Sequence, residues 1–70
     1  MLKVGDKIKD NDPRMTGRVL RVLEIWPTHI KAVASYCRPV TIRIDRIYPA
    51  GSVRKSGFTM IEEERTNAEH

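Results

Sequence analysis

The sequence predicts an all-β fold, a small and strongly bent barrel of five strands. Three observations predict it. Val4–Val22, VGDKIKDNDPRMTGRVLRV, sets short strand patterns around a glycine and a polar loop, and Gly17-Arg18 opens the next strand. Val40–Ile44 alternates cleanly, with Val40, Ile42 and Ile44 on one face and Thr41 and Arg43 on the other. Asp45–Tyr48 then stands directly before Pro49, which reads as one turn of 3₁₀-helix with Asp45 as its cap.

The elements follow in order. Leu2-Lys3-Val4 and Lys7-Ile8-Lys9 read as one strand kinked at Gly5-Asp6. Lys9–Gly17 is a polar loop, in which Asp10, Asn11 and Asp12 favour Asx turns and Pro13 keeps Asp12 extended. Arg18–Trp26 is apolar, but its alternation breaks: Val19, Val22 and Ile25 are spaced by three, Leu20 and Val22 by two. A spacing near 3.6 is helical, yet the run is short, uncapped and rich in β-branched residues. A strand with a bulge accounts for the break, because one extra residue re-aims every side chain after it. His29–Tyr36 alternates, with Ile30, Ala32, Ala34 and Tyr36 on one side. Cys37-Arg38-Pro39 turns the chain, Val53–Gly57 is a basic loop, and Phe58–Ile61 is the last strand. The expected core is Val4, Ile8, Val19, Val22, Ile25, Ala32, Ala34, Val40, Ile42, Ile44, Ile47, Phe58 and Met60, with Tyr36 beside it. The barrel domain spans residues 1–61, and 62–70 form an acidic tail with no apolar face, expected to be disordered.

A chain of 70 residues makes one domain. With Cys37 alone, read as a small half-buried residue at a strand end, no internal disulfide forms, and one cysteine and two histidines supply no usual zinc set. The N-terminus has charges throughout and no apolar run, so neither a signal peptide nor a membrane span is expected, and the expected compartment is the cytoplasm. Charge is uneven. Residues 1–60 carry 12 Lys and Arg against five acidic residues, a net of +7, while residues 61–70 carry four Glu against Arg65, a net of −3. A basic body suits a polyanion such as nucleic acid.

Taken together, five short strands, a long first loop and a helical turn before the last strand describe an SH3-like barrel. Val4-Gly5-Asp6-Lys7-Ile8 with Gly17, Val19 and Val22 resembles the KOW-type version of that barrel. Gly5-Asp6, Asp10–Arg14, Gly17-Arg18-Val19, Ile42–Arg46 and Gly57-Phe58 together resemble small proteins encoded by bacteriophages and prophages. The resemblance implies an SH3-like barrel, a phage origin and, with it, the host cytoplasm. It implies no activity.

The residues themselves show no catalytic constellation. His29 lies at a turn without triad partners, and Asp10 and Asp12 lack the further oxygens of a calcium loop. No enzyme activity, cofactor, metal or small-molecule substrate is expected. The candidates are cations: Arg18 and Arg43 on strands sharing a face, Arg14, Arg54 and Lys55 in loops at its rim, and Lys31. Guanidinium forks match phosphate oxygens, and each contact releases counterions. Arg14 and Arg46 have a plainer role available, pairing with Asp12 and Asp45. Trp26 beside Pro27 and Tyr48 beside Pro49 are expected to be exposed and suited to protein contact. Two functions follow, a phosphate-reading nucleic-acid module or a module that binds or inhibits a host protein or defence complex. A structural role in a virion is a third. The expected state is a monomer or weak homodimer.

Ile42 belongs to the core on this reading, and Ile42→Ala should lose about 2–5 kcal/mol. A urea melt showing less than about 1 kcal/mol lost would remove Ile42 from the centre.

Overall fold

The computed structural model describes residues 2–15 and 17–62. The chain is all-β. β1 (Lys7–Asp10), β2 (Val19–Ile25), β3 (His29–Ala34), β4 (Val40–Arg43), β5 (Ile47–Tyr48) and β6 (Phe58–Met60) form one sheet in the order β4-β3-β2-β1-β6-β5. Every pairing is antiparallel except β5 with β6. The count is six strands rather than five. The added one is β5, where the sequence suggested the end of a 3₁₀ turn. Pro49 holds Tyr48 extended, and Ile47 and Tyr48 use that conformation to pair with Phe58 and Thr59. The 3₁₀ turn sits earlier, at Ile44–Arg46, so Ile44 leaves β4. Asp45 does not cap it: Arg43 holds that position, with no side-chain cap.

The sheet must curl. Its two edge strands, β4 and β5, are joined by only three residues, Ile44–Arg46. Four residue steps reach at most about 14 Å. A flat sheet would separate the first and sixth strands by roughly 24 Å at ~4.8 Å per spacing. The link therefore bends the sheet into a half-barrel and brings its edges toward each other.

Ile8, Leu20, Val22, Ile30, Ala32, Ala34 and Ile42 line the concave face as a buried core, with Leu2, Val40, Ile44, Ile47, Phe58 and Met60 packed around it. Fully burying side chains such as Ile8 or Leu20 contributes about 1.5–3 kcal/mol each. The bulge expected in the second strand is present, as a register shift between Val22 and Glu24. It explains the mixed spacing. Val22 faces Ala32 and Ile25 faces Ile30, so four residues of β2 oppose three of β3. Leu20 and Val22 are inward before the bulge. Val19 pairs with Lys9 on the convex face and is exposed, contrary to expectation. Ile25 returns to the inner side at the end of the strand, where its exposure stays at 38%. Val4 is exposed because the chain turns at Gly5 and β1 starts only at Lys7. Tyr36 is exposed too: it lies past the end of β3, with φ at +60°.

Asn11 clamps two loops. Its N–H donates to the Gly57 carbonyl (3.0 Å), its Nδ2 donates to the Ser56 carbonyl (3.1 Å), and its Oδ1 accepts from Thr59 Oγ1 (3.0 Å). Thr59, 2% exposed, is thus a satisfied buried polar group. The expected disorder of the tail falls almost wholly outside the described residues, which end at Glu62.

Gly57 is required at its position. Its φ is +74°, and a Cβ there would meet the Arg46 carbonyl oxygen at 2.6 Å and Tyr48 Cε2 at 2.9 Å. Gly51 has φ of +90° but open space around it. Gly57→Ala should therefore cost well over the ~1 kcal/mol of left-handed strain that Gly51→Ala meets. Urea melts of the two variants compare them directly, and equal losses would show that the close approach is unimportant.

Candidate functional site

The loop arginine Arg14 lies in a short 3₁₀ turn, Pro13–Met15. Its Nε and Nη2 reach the Asp12 carboxylate at 3.2 and 3.0 Å, and its main-chain N–H donates to Asp12 Oδ1 at 2.9 Å. This is the self-satisfied turn that the sequence suggested. The Arg14 side-chain hydrogen bond holds the Asp12 carboxyl below the usual Asp value. Arg18 stands before β2, half-buried, with Nη1 3.3 Å from Asp10 Oδ2. Asp10 Oδ1 also accepts from the Asp12 N–H at 3.0 Å, so one carboxylate ties the loop to the strand mouth.

Arg43 forms a fork on Asp45, with Nη2 at 2.8 Å and Nε at 3.1 Å. Asp45 was expected to serve Arg46. Its fork partner is Arg43 instead, two residues back on the exposed side of the turn. The Arg46 guanidinium has no hydrogen bond or ion pair among the described residues, and only its charge acts on Asp45. Lys31 is 3.9 Å from Glu24 and sits 5.8 Å from the centroid of the Trp26 ring. Arg54 stacks 4.5 Å from the centroid of Tyr48. Tyr48 is consequently half-buried under Arg54, not the open contact residue expected, whereas Trp26 is exposed as expected. Lys55 is exposed.

Two surfaces collect these groups. On the convex face of β1–β3, Lys7 lies opposite Arg21, and Arg21 lies opposite Val33. Lys9 and Lys31 occupy the same face, because Ile8, Leu20, Val22, Ile30 and Ala32 take the concave one. The sequence reading named Lys31 among its candidate cations and did not name Lys7, Lys9 or Arg21. Their signal was alternation, against Ile8 in β1 and against Leu20 and Val22 in β2, where the bulge obscured it. The second surface is a groove of about 370 Å³ at the seam of the half-barrel. Arg18 and Arg43 come together there, joined by Arg46, around Val40, Ile42 and Phe58. Arg14, Arg54 and Lys55 do not line it.

Among the described residues no three His, Cys, Asp or Glu side chains cluster as a metal site. His29 Nδ1 shares a hydrogen bond with Thr28 Oγ1 at 2.7 Å. Cys37 is exposed, not half-buried, because the chain turns away from the sheet after Ala34. No helix among the described residues is long and apolar enough to cross a membrane.

The Arg43 hydrogen bonds are the largest cause that lowers Asp45 below the usual Asp value. A lowered folded-state value stabilises above the ordinary Asp value, and that contribution is lost as pH falls through the folded one. Full exposure to salt keeps it small. Arg43→Gln should move the Asp45 titration, followed by NMR of its carboxyl carbon, back up toward the ordinary value while stability at neutral pH barely changes. An unmoved titration would contradict the fork.

Comparison with protein-family models, with curated proteins and with solved structures finds no match.

Proposed function

We propose that this chain is a non-enzymatic nucleic-acid-binding module that reads phosphates with the convex face of β1–β3. The observation that carries the reading is the register of that face. Lys7 stands directly opposite Arg21, with Lys9 and Lys31 beside them. Like charges in register repel one another. A phosphate chain laid across them is attracted to both and releases its counterions. Trp26, exposed beside Lys31, gives the face one ring on which a base can stack.

The choice of cations differs from the one the sequence favours. Arg14, Arg18 and Arg43 are each held by a neighbouring aspartate, which reduces what they offer a phosphate. Arg54 is engaged on Tyr48. Lys31 keeps its place, because its contact with Glu24 is longer, at 3.9 Å, than those arginine pairs, and Lys55 stays a secondary candidate. The half-barrel is read as an SH3-like barrel, and the sequence resemblance to phage-encoded proteins supports action in the cytoplasm of a host. A second reading, docking of a host protein, is favoured by one observation, the open edge of β4 beside the arginine-lined groove.

Anisotropy titrations with labelled duplex DNA and RNA test the proposal. Four phosphate contacts give a slope near −3.6 in log K against log salt, so affinity should fall about 150-fold between 50 and 200 mM salt. The double variant Lys9→Gln, Arg21→Gln should weaken binding to all sequences alike and lower the slope by about 2. Arg14→Gln should change neither. Absence of binding at ~50 mM salt, or binding indifferent to salt, rejects the reading.

A further inference from the structure

The groove at the seam has a feature that phosphate binding does not use. Its lining includes four consecutive residues of β4, Val40 to Arg43. Successive strand residues point to opposite faces, so a groove touching all four runs along the strand's edge. Among the described residues that edge is open, because β4 has β3 as its one neighbour in the sheet. The phase of the ladder shows which groups it presents. The Ile44 N–H donates to the Thr28 carbonyl at 2.9 Å, which makes Ile42 with Ile30 and Val40 with Ala32 the hydrogen-bonded pairs. The N–H and C=O of Thr41 and the N–H of Arg43 therefore face away from β3.

We propose that the seam groove binds an extended acidic peptide as an added strand on β4. The open main-chain groups of Thr41 and Arg43 pair with its backbone, as in strand addition generally. Its alternate side chains then divide by chemistry. Apolar ones meet Val40, Ile42 and Phe58 on the concave side, and acidic ones meet the arginine rim. The rim keeps a net positive charge, three arginines against Asp10 and Asp45. Arg46 has no ion-pair partner among the described residues and is the guanidinium most available to a carboxylate. A nucleic-acid backbone would use the arginines but has no main-chain donors and acceptors to match the strand edge, which favours a peptide at this position. The convex face of β1–β3 is a separate surface, so this inference does not depend on the nucleic-acid reading.

The test uses the full ¹⁵N-labelled chain and a blocked synthetic pentapeptide of alternating glutamate and valine. Its control is the same peptide with lysine for glutamate. Binding should shift the Thr41 and Arg43 amides and slow their hydrogen exchange at least tenfold, with the lysine peptide inert. Arg46→Gln should weaken binding at least threefold, while Arg54→Gln should leave it unchanged. No shift with several millimolar peptide, or equal binding of the lysine peptide, overturns the proposal. So does an oligothymidine that displaces the peptide from Thr41, which would give the groove to nucleic acid. Protection of the Thr41 amide that rises with protein concentration alone would show β4 pairing with a second copy, and also overturns it.

Discussion

The three-residue link between the edge strands is the constraint on which the rest of the molecule depends. Ile44–Arg46 is too short to cross a flat sheet, so β4 and β5 can coexist in one sheet only if it is curled. Curling gives a small chain a concave side on which Ile8, Leu20, Val22 and Ile30 are almost completely buried. It also makes the convex side a continuous outer face, where the cations of β1, β2 and β3 lie side by side. The seam groove is the third consequence, since the edges approach without hydrogen-bonding to each other. Core, basic face and groove are thus products of one short connection.

The bulge in β2 has the second largest effect, and it marks where the sequence is legible and where it stops. Its presence could be read from the clash between a spacing of two at Leu20 and Val22 and a spacing of three at Val22 and Ile25. Its position could not, because either Val19 or Leu20 can begin an inward series. The structure places the shift after Val22, which buries Leu20 and exposes Val19. That one-residue choice decides whether Arg21 faces solvent beside Lys7. The clean alternation of β4 and the Asx turns of the first loop needed no such choice and were legible. β5 was hidden for another reason. A two-residue strand has no periodicity, and only the proximity of β6 turns an extended Ile47-Tyr48 into a paired one.

The long-range polar contacts were equally illegible. Asn11 reads as a turn former, and it does begin a loop, but its side chain spends its donors and acceptor on Ser56 and Thr59, far along the chain. This clamp covers β6 with the loop before it and accounts for a buried threonine in a strand that otherwise carries apolar residues. Gly57 completes the same corner by letting the Arg46 carbonyl and the Tyr48 ring approach. Tyr48 then becomes a platform for Arg54, and a residue that looked like an open contact is drawn into the fold.

Charge placement follows from the distinction between neighbours in sequence and neighbours across strands. Asp12 with Arg14, and Arg43 with Asp45, are two residues apart beside or within 3₁₀ turns, where a guanidinium folds back onto its neighbour at almost no cost in chain order. Such pairs form whatever the rest of the fold does, which is why the arginines most prominent in the motifs are the least available. A cation on a strand face has no such choice, because its neighbours are set by register. In β1 and β2 the register gives Lys7 an arginine, and in β3 it gives Arg21 a valine. The only acidic residue paired across these strands is Glu24, opposite Lys31 beyond the bulge. Sequence-adjacent acids thus hold Arg14 and Arg43, while strand register sets Lys7, Lys9, Arg21 and Lys31 on one outer face. Arg46 forms no ion pair among the described residues, since the adjacent Asp45 is taken by Arg43, and its place at the edge of β4 distinguishes the groove chemically from the face.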